Sequence, residues 1–444
     1  MNMQLVRQTI KKLTLESFLR NVMVLAGGTL ISQVIVLATL PILTHIYSPA
    51  DYGTYSVFIS VIAMLLMVVS LSYEYAITLP EADEEASTIL RLSLFICVGV
   101  SILSGVGIYA LYDPITHHWT NQPHLRSYFI IFSLCLFAAG CYQILSYWSI
   151  RKKYFKQLAR AKYTQSGSQV LSQLFLSIFH LGPLGLIIGD TLGRAAGLIP
   201  QWKLWRRDVK EQAMETTWED MKEGAYRYRR FPLLASAANV LNSVGLYLPN
   251  IMLAAFYGPQ VAGWFTLGQR ILGSPMTLIG TSVTQVYLSE VSRRIHQDPD
   301  KLYSLFLKTV RNVFLFGLVV VIVLDLFAPP LFALFFGSEW QKSGEFMRIL
   351  SFMYLAQFVA NSVGITIDVM ERQDLHLYRE IARTMIVLFA IFLAHFLHRS
   401  AEIAIVYLSI AGTIGYLLHL GLSWYSARRF MRMNKQADDT NEGS

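Results

Sequence analysis

The chain has 444 residues, of which 54% are hydrophobic and only 15% charged, with a mean hydropathy of +0.43 and a net charge of +8. A soluble chain carries roughly 25% charged residues, so the composition excludes an ordinary water-soluble globule and points to the bilayer as solvent. The positive balance invites a nucleic-acid reading, which the positions of the charges remove below. The cysteines Cys97, Cys135 and Cys141 all sit in apolar runs and read as small buried hydrophobes.

Residues 1–20 carry Arg7, Lys11, Lys12 and Arg20 punctuated by Val6, Ile10, Leu13 and Phe18, the pattern of a short interfacial helix. The apolar run that follows covers about 24 residues, about 36 Å as a helix. That is long enough to cross a membrane and too long for the core of a cleavable signal. Twelve spans are predicted near 21–45, 54–78, 88–111, 128–150, 164–181 and 183–203, then 231–256, 262–288, 305–327, 346–368, 376–397 and 402–426. The break between the first two reads Tyr47-Ser48-Pro49-Ala50-Asp51-Tyr52-Gly53. It returns 210 positions later as Tyr257-Gly258-Pro259-Gln260-Val261-Ala262-Gly263. Both fit Y-x-P-x-x-x-G between long apolar segments, as expected of one membrane hairpin used twice.

The expected organisation is an all-α integral membrane protein: an interfacial helix (1–20), a six-helix bundle (21–203), an amphipathic linker (204–230), a second six-helix bundle (231–427) and a cytoplasmic tail (428–444), polar and disordered after Arg432. Six spans per half is even, so the bundles are expected to be related by a pseudo-two-fold along the membrane normal. Within the linker, Trp218, Met221 and Ala225 recur at helical spacing among charges.

With both termini cytoplasmic, about 30 of the 37 Lys and Arg fall in inward segments. Only Arg126, Lys342 and Arg399 fall in outward loops, an imbalance that orients the chain. The basic surplus then lies against an anionic inner leaflet, with no nucleic acid required. An acidic patch, Glu81 with Asp83, Glu84 and Glu85, faces the same side.

The eighth span places Thr266, Arg270, Ser274, Thr277, Thr281 and Thr284 on one helical face, polar along its length. Such a stripe reads as the wall of a watery cavity; its bland alternative is hydroxyls bonded back to their own helix. Arg270 lies about 12 Å deep, where an arginine is costly and by default functional; the alternative is pairing with an acid across the bundle. In span six, Asp190 and Arg194 are spaced to neutralise each other. Glu74 admits three roles: a gate, a proton or cation site, or a partner for a surface cation. Span seven adds Asn239, Ser243 and Asn250 on one stripe with Asn242 beside it, residues that elsewhere serve as helix–helix glue. No P-loop, H-E-x-x-H or G-x-S-x-G motif occurs, and neither a catalytic group nor a cofactor is expected. His117, His118 and His124 share one outward loop but have only Asp113 nearby as a metal-binding partner.

The Tyr47–Tyr55 hairpin, Tyr73-Glu74-Tyr75-Ala76-Ile77 with Leu79-Pro80, and Gly263-Trp264-Phe265-Thr266-Leu267-Gly268-Gln269-Arg270 with Pro275 resemble the polysaccharide transporter family. That family holds the O-antigen and capsule flippases of the multidrug/oligosaccharidyl-lipid/polysaccharide exporter superfamily. The resemblance implies two bundles around an alternately open cavity in the bacterial inner membrane. It implies a cargo of undecaprenyl-pyrophosphate-linked oligosaccharide, a cationic centre at Arg270 and Arg194, coupling to protons or cations, and service to a polysaccharide polymerase and its chain-length regulator. The rivals are a drug or cation antiporter of the same superfamily and a membrane polysaccharide polymerase. Deep arginines disfavour the first, and the lack of a large outward loop disfavours the second.

Overall fold

The structure is a computed structural model. It describes the backbone over 3–119, 129–297, 300–370 and 372–442, with side chains over those ranges except 3–22, 111–119, 234, 237, 238, 278, 296, 297, 300, 301, 373, 374, 376, 377 and 432–442. The expected N-terminal basic side chains, the three loop histidines and the tail side chains beyond Met431 therefore lie outside the described set. Nearly all described residues are helical and none among them is in a strand. The chain divides into two compact units, Met1–Tyr47 with Phe58–Ser243, and Ser48–Val57 with Val244–Ser444.

The helices in chain order are α1 (Met3–Ile46), α2 (Pro49–Leu66), α3 (Asp83–Trp119), α4 (Phe129–Arg151), α5 (Phe155–Ser177), α6 (Pro183–Glu211) and α7 (Trp218–Arg227). They continue with α8 (Ser236–Tyr257), α9 (Pro259–Gln297), α10 (Asp300–Phe336), α11 (Gln341–Val363), α12 (Ile365–Val369), α13 (Gln373–Phe396) and α14 (Ala401–Glu442). Among the described residues, eight segments are long and apolar enough to cross a membrane; they lie in α1, α2, α3, α4, α8, α10, α11–α12 and α14. The other four expected spans fall on α5, α6, α9 and α13. These are equally helical but interrupt their apolar runs with hydroxyls, amides and charges.

Three local differences from the expected spans have physical causes. The interfacial segment and the first span form one unbroken helix, α1. The second span is not one helix to residue 78: α2 stops at Leu66, Leu71 and Ser72 adopt positive φ, and Tyr73–Thr78 is a 3₁₀ turn. Side chains hold that turn. Ser70 donates to Glu74, the Ser72 and Ser236 hydroxyls lie 3.0 Å apart, and the Tyr73 hydroxyl donates to the Ala225 carbonyl at 2.9 Å. The tail, expected to be disordered, continues α14 to Glu442, with no proline or glycine between Gly421 and Gly443 to stop it.

In the first unit α1 packs on α5, α5 and α4 on α6, and α3 on α4. The α5–α6 contact is a ladder of small residues against amides. Side-chain carbons placed at Gly189, Gly193 and Gly197 would lie 2.5, 2.6 and 2.9 Å from Gln173, Gln169 and Gln165, each pair one turn from the next. Spacing of the small-x-x-x-small kind lets backbones approach where lipid offers no hydrophobic drive. The acidic patch is engaged internally: Asp83 pairs with Arg151 at 3.0 Å and with Lys152, and Glu85 pairs with Arg227 of α7 at 2.7 Å. Helix α7 starts with a capping box between Thr217 and Asp220. Its Trp218 meets Phe95 of α3 edge-on at 5.6 Å.

In the second unit α11 packs on α9, α10 and α14, and α13 on α14. A core of Tyr287, Val291, Leu302, Phe306, Val363 and Ala427 fastens one end of α9, α10 and α14. Proline opens both α2 and α9, where its missing N–H costs nothing. At α2, Asp51 accepts from the Ser48 backbone and hydroxyl at 3.1 and 2.7 Å, and the Ser48 hydroxyl in turn accepts from the Asp51 N–H at 3.2 Å. The two Y-x-P-x-x-x-G repeats meet here, with Gly53 against Pro259 and Gly263 against Pro49.

Candidate functional site

The second unit gathers a polar layer on the first turns of α9. Pro259 starts that helix, and the Gly263 contact draws α2 against it. This brings Tyr52, Ser56, Asn250, Thr266 and Arg270 together. Arg270 is half-buried and donates from Nη1 to the Tyr52 hydroxyl at 3.3 Å. Tyr52 is 1% exposed and fixed edge-on to Trp340 and Tyr55, with ring centroids 5.6 and 5.9 Å away. One turn before Arg270, Thr266 donates to Asn250 Oδ1 at 3.1 Å, and Asn250 Nδ2 donates to Ser56 at 3.0 Å. The guanidinium is thus held by a rigid aromatic hydroxyl beside a satisfied amide–hydroxyl chain. Such a group can offer planar, charge-assisted donors to an anion.

The stripe continues down α9. Ser274 is half-buried, while Thr277 and Thr281 are exposed. Thr277 donates back to Gly273 at 2.8 Å; Thr284 does the same to Gly280 at 2.9 Å and reaches the Asn361 carbonyl of α11 at 3.1 Å. Thr277, Thr281 and Thr284 line a cleft of about 70 Å³ with Gln357, Asn361 and Tyr354 of α11. Back-bonding and cleft lining therefore coexist on the same face.

The remaining sequence candidates belong to the first unit. Asn239 belongs to the first unit and donates to Ser72 and Tyr75 at 3.4 Å each. Asn242 is exposed, so the span-seven asparagines serve different surroundings. Glu74 is 1% exposed and accepts from Ser70 and from Gln143 Nε2, the latter at 2.9 Å. Asp190 is buried and accepts from Arg194 Nε at 2.6 Å and from the Cys135 thiol at 3.8 Å. Arg194 and Arg270 belong to different units.

Sequence reasoning missed a second buried cationic cluster. On α13, Arg383 donates from Nη2 to Glu380 at 2.7 Å and from Nη1 to the Tyr416 hydroxyl of α14 at 3.3 Å; Arg379 also pairs with Glu380. Both arginines are buried. Their signal was two arginines one turn apart, with an acid between them, inside a predicted span. By charge count alone they belong with the inward segments. Outside the spans, hydrogen bonds from the Thr217 backbone and hydroxyl hold the Asp220 carboxyl below its ordinary value. Among the described residues no cluster of His, Cys, Asp and Glu could hold a metal ion.

Residues 42–345 match the family model described as polysaccharide biosynthesis protein. The chain belongs to that family. No curated protein matches the chain. Among solved structures, this family member is similar to a multidrug resistance MATE family transporter of the MOP superfamily in its inward-facing conformation. The identity is 17% and the TM-score 0.68, over 91% of this chain and 96% of that one. It is also similar to the lipid II flippase MurJ in an inward closed conformation, with 13% identity and TM-score 0.69 over 89% and 86%. A third similar structure is the Vibrio cholerae MATE transporter VcmN in the bent form, with 15% identity and TM-score 0.54 over 93% and 98%. Family membership, fold and the long apolar helices together identify a multi-pass membrane protein of the polysaccharide biosynthesis family, as the hairpin motifs led us to expect.

Proposed function

We propose that this polysaccharide biosynthesis protein is a flippase that moves undecaprenyl-pyrophosphate-linked oligosaccharide repeat units, of O-antigen or capsule type, from the inner to the outer leaflet. In this reading twelve spans form two six-helix bundles (21–203 and 231–427) around an alternately accessible path, with both termini cytoplasmic in a bacterial inner membrane. A polymerase and its chain-length regulator consume the cargo outside. The carrying observation is Arg270, half-buried within α9, oriented by Tyr52 and heading a column of hydroxyls and amides. A pyrophosphate bearing sugars crosses hydrocarbon only if positive charge and hydrogen-bonding groups replace its water. Arg270 with Ser274, Thr277, Thr281 and Asn250 supplies those groups, and Arg194 is a second cation for the path. Glu74 and Asp190 are the buried acids available to gate it or to take up the coupling proton or cation. The lipid-linked glycan carried by the similar lipid II flippase fits the same chemistry.

The test is complementation of a strain lacking its own flippase. Arg270→Ala is expected to abolish surface polysaccharide at normal protein level and to leave lipid-linked units on the inner leaflet, while Arg270→Lys restores part of the signal. Unimpaired polysaccharide in Arg270→Ala would remove the residue from the mechanism. The likeness to multidrug transporters favours a second reading, drug or cation export. That reading requires drug resistance to change on deletion with no loss of polysaccharide.

A further inference from the structure

A separate polar cavity opens at the far end of α9, away from Arg270. It has a volume of about 470 Å³ and lies between the end of α9 and the start of α10. Glu290 and Arg294 line it from α9; Ser304, Lys308, Thr309 and Asn312 line it from α10. Two cations face one carboxylate among these residues, and Glu290 is already shared between Arg293 at 2.7 Å and Arg294 at 3.4 Å. Lys308 makes no ion pair among the described residues. The cavity thus presents net positive charge together with hydroxyl and amide groups.

Its position on α10 adds an independent observation. Ser304, Lys308 and Asn312 follow one another at i+4 along one helical face. The same face continues with Leu315, Val319, Ile322 and Leu326, all exposed. One stripe of α10 therefore changes from a cationic, hydrogen-bonding segment to an apolar one open to lipid. A change from polar to apolar along one helix face is what a membrane interface imposes. At the same end Trp424 of α14 donates to the Tyr303 hydroxyl at 2.9 Å and carries the Arg428 guanidinium 5.0 Å from its ring centre. Paired aromatic and basic side chains of this kind anchor helices at headgroup level.

We propose that this cavity binds the phosphate headgroup of an anionic glycerophospholipid, whose acyl chains follow the apolar stripe of α10. Arg294 and Lys308 meet the phosphodiester, and Asn312, Thr309 and Ser304 meet the glycerol oxygens. Basic pockets between helices on the cytoplasmic side are suited to such headgroups. The choice of the inner leaflet rests on the orientation proposed above; the site itself does not depend on the cargo. The same phosphate chemistry could come from the pyrophosphate of a polyprenyl carrier, so the experiment separates the two sources.

The full chain in detergent is mixed with dioleoyl phosphatidylglycerol, dioleoyl phosphatidylcholine or undecaprenyl pyrophosphate, and retained lipid is counted by native mass spectrometry. Phosphatidylglycerol is expected to be retained over phosphatidylcholine. Lys308→Gln and Arg294→Gln should each lower its retention about fivefold, the factor that one basic side chain near a membrane supplies. Lys308→Arg should keep it, and undecaprenyl pyrophosphate retention should be unchanged in all three. Lys308 is exposed, so its two variants stay informative if Arg294→Gln fails to fold. Equal retention of the two glycerolipids, or unchanged phosphatidylglycerol in the Lys308→Gln protein, overturns the proposal. So does a loss confined to undecaprenyl pyrophosphate, which would assign the cavity to the carrier. Failure of the flippase reading shows instead in the Arg270→Ala complementation and leaves this measurement untouched.

Discussion

Gly53 and Gly263 close the same helix crossing from opposite sides. A side-chain carbon built on Gly53 would lie 1.6 Å from the Pro259 carbonyl oxygen, and one on Gly263 would lie 1.9 Å from the Pro49 carbonyl oxygen. The obstructing atoms are backbone, so no rotamer change relieves them. Gly53→Ala or Gly263→Ala must push the starts of α2 and α9 apart, at a cost of about 1–3 kcal/mol each. Both methyls displace the same pair of backbones, so the double variant should lose less than the sum. Thermal unfolding of the four purified proteins measures this; full additivity would mean that the two contacts are independent.

Tyr52 touches Arg270 through its hydroxyl and Trp340 through its ring. Tyr52→Phe should keep the aromatic packing and remove the hydroxyl's bond to the guanidinium, a hydrogen bond to a charged group being worth about 1.5–3 kcal/mol. The expected result is a modest loss of thermal stability with undecaprenyl pyrophosphate binding weakened about tenfold or more. Tyr52→Ala should lose both stability and binding. Equal effects of the two substitutions would mean that the hydroxyl has no part in holding Arg270.

Asp190 and Arg194 form a contact within one turn of α6, with Asp190 buried. Arg194→Gln takes the cation away from a buried carboxylate, at a cost of about 3–5 kcal/mol. Asp190→Asn combined with Arg194→Gln should recover much of that loss, as read by melting temperature. If the double variant folds well but transports poorly, the pair has a role beyond neutralising itself.

The cap on α7 sets a pH dependence with a defined sign. Thr217 lowers the Asp220 pKa from its ordinary 3.8. The stabilisation of α7 by the ionised cap is then fully present above the unfolded value. It is lost as pH falls through the lower, folded value. Hydrogen exchange of α7 amides should quicken in acid, beyond the intrinsic trend, in the wild type. Asp220→Ala, which removes the acceptor of both bonds, should show fast exchange already at neutral pH and little further change.

Much of this architecture was legible because apolar runs and proline-led breaks are strong local signals. Pro49 and Pro259 mark helix starts, and the structure keeps both. The end of α2 was not legible. Nothing in the apolar stretch to residue 78 announces that Leu71 and Ser72 take positive φ; partners as distant as Ala225 and Ser236 stabilise that turn. Arg270 stood out because an arginine in an apolar span is rare. Arg379 and Arg383 escaped because they lie near the inward end of theirs, where charge is ordinary. The spacing of Gly189, Gly193 and Gly197 is plain in the sequence, but its meaning depends on Gln165, Gln169 and Gln173 lying opposite, which only the fold supplies.

The docking of α7 bears on how this protein meets a protease. The connection between α6 and α8 holds Lys222, Arg227, Arg229 and Arg230, and in an unstructured segment trypsin would cut there. Here Arg227 is tied to Glu85, the Ala225 carbonyl accepts from Tyr73, and the Met214 carbonyl accepts from Arg91 at 2.8 Å. Cleavage needs several residues to unwind into an extended strand, so these fastenings shield the trypsin sites of this connection. Nicking there would report that α7 has come away.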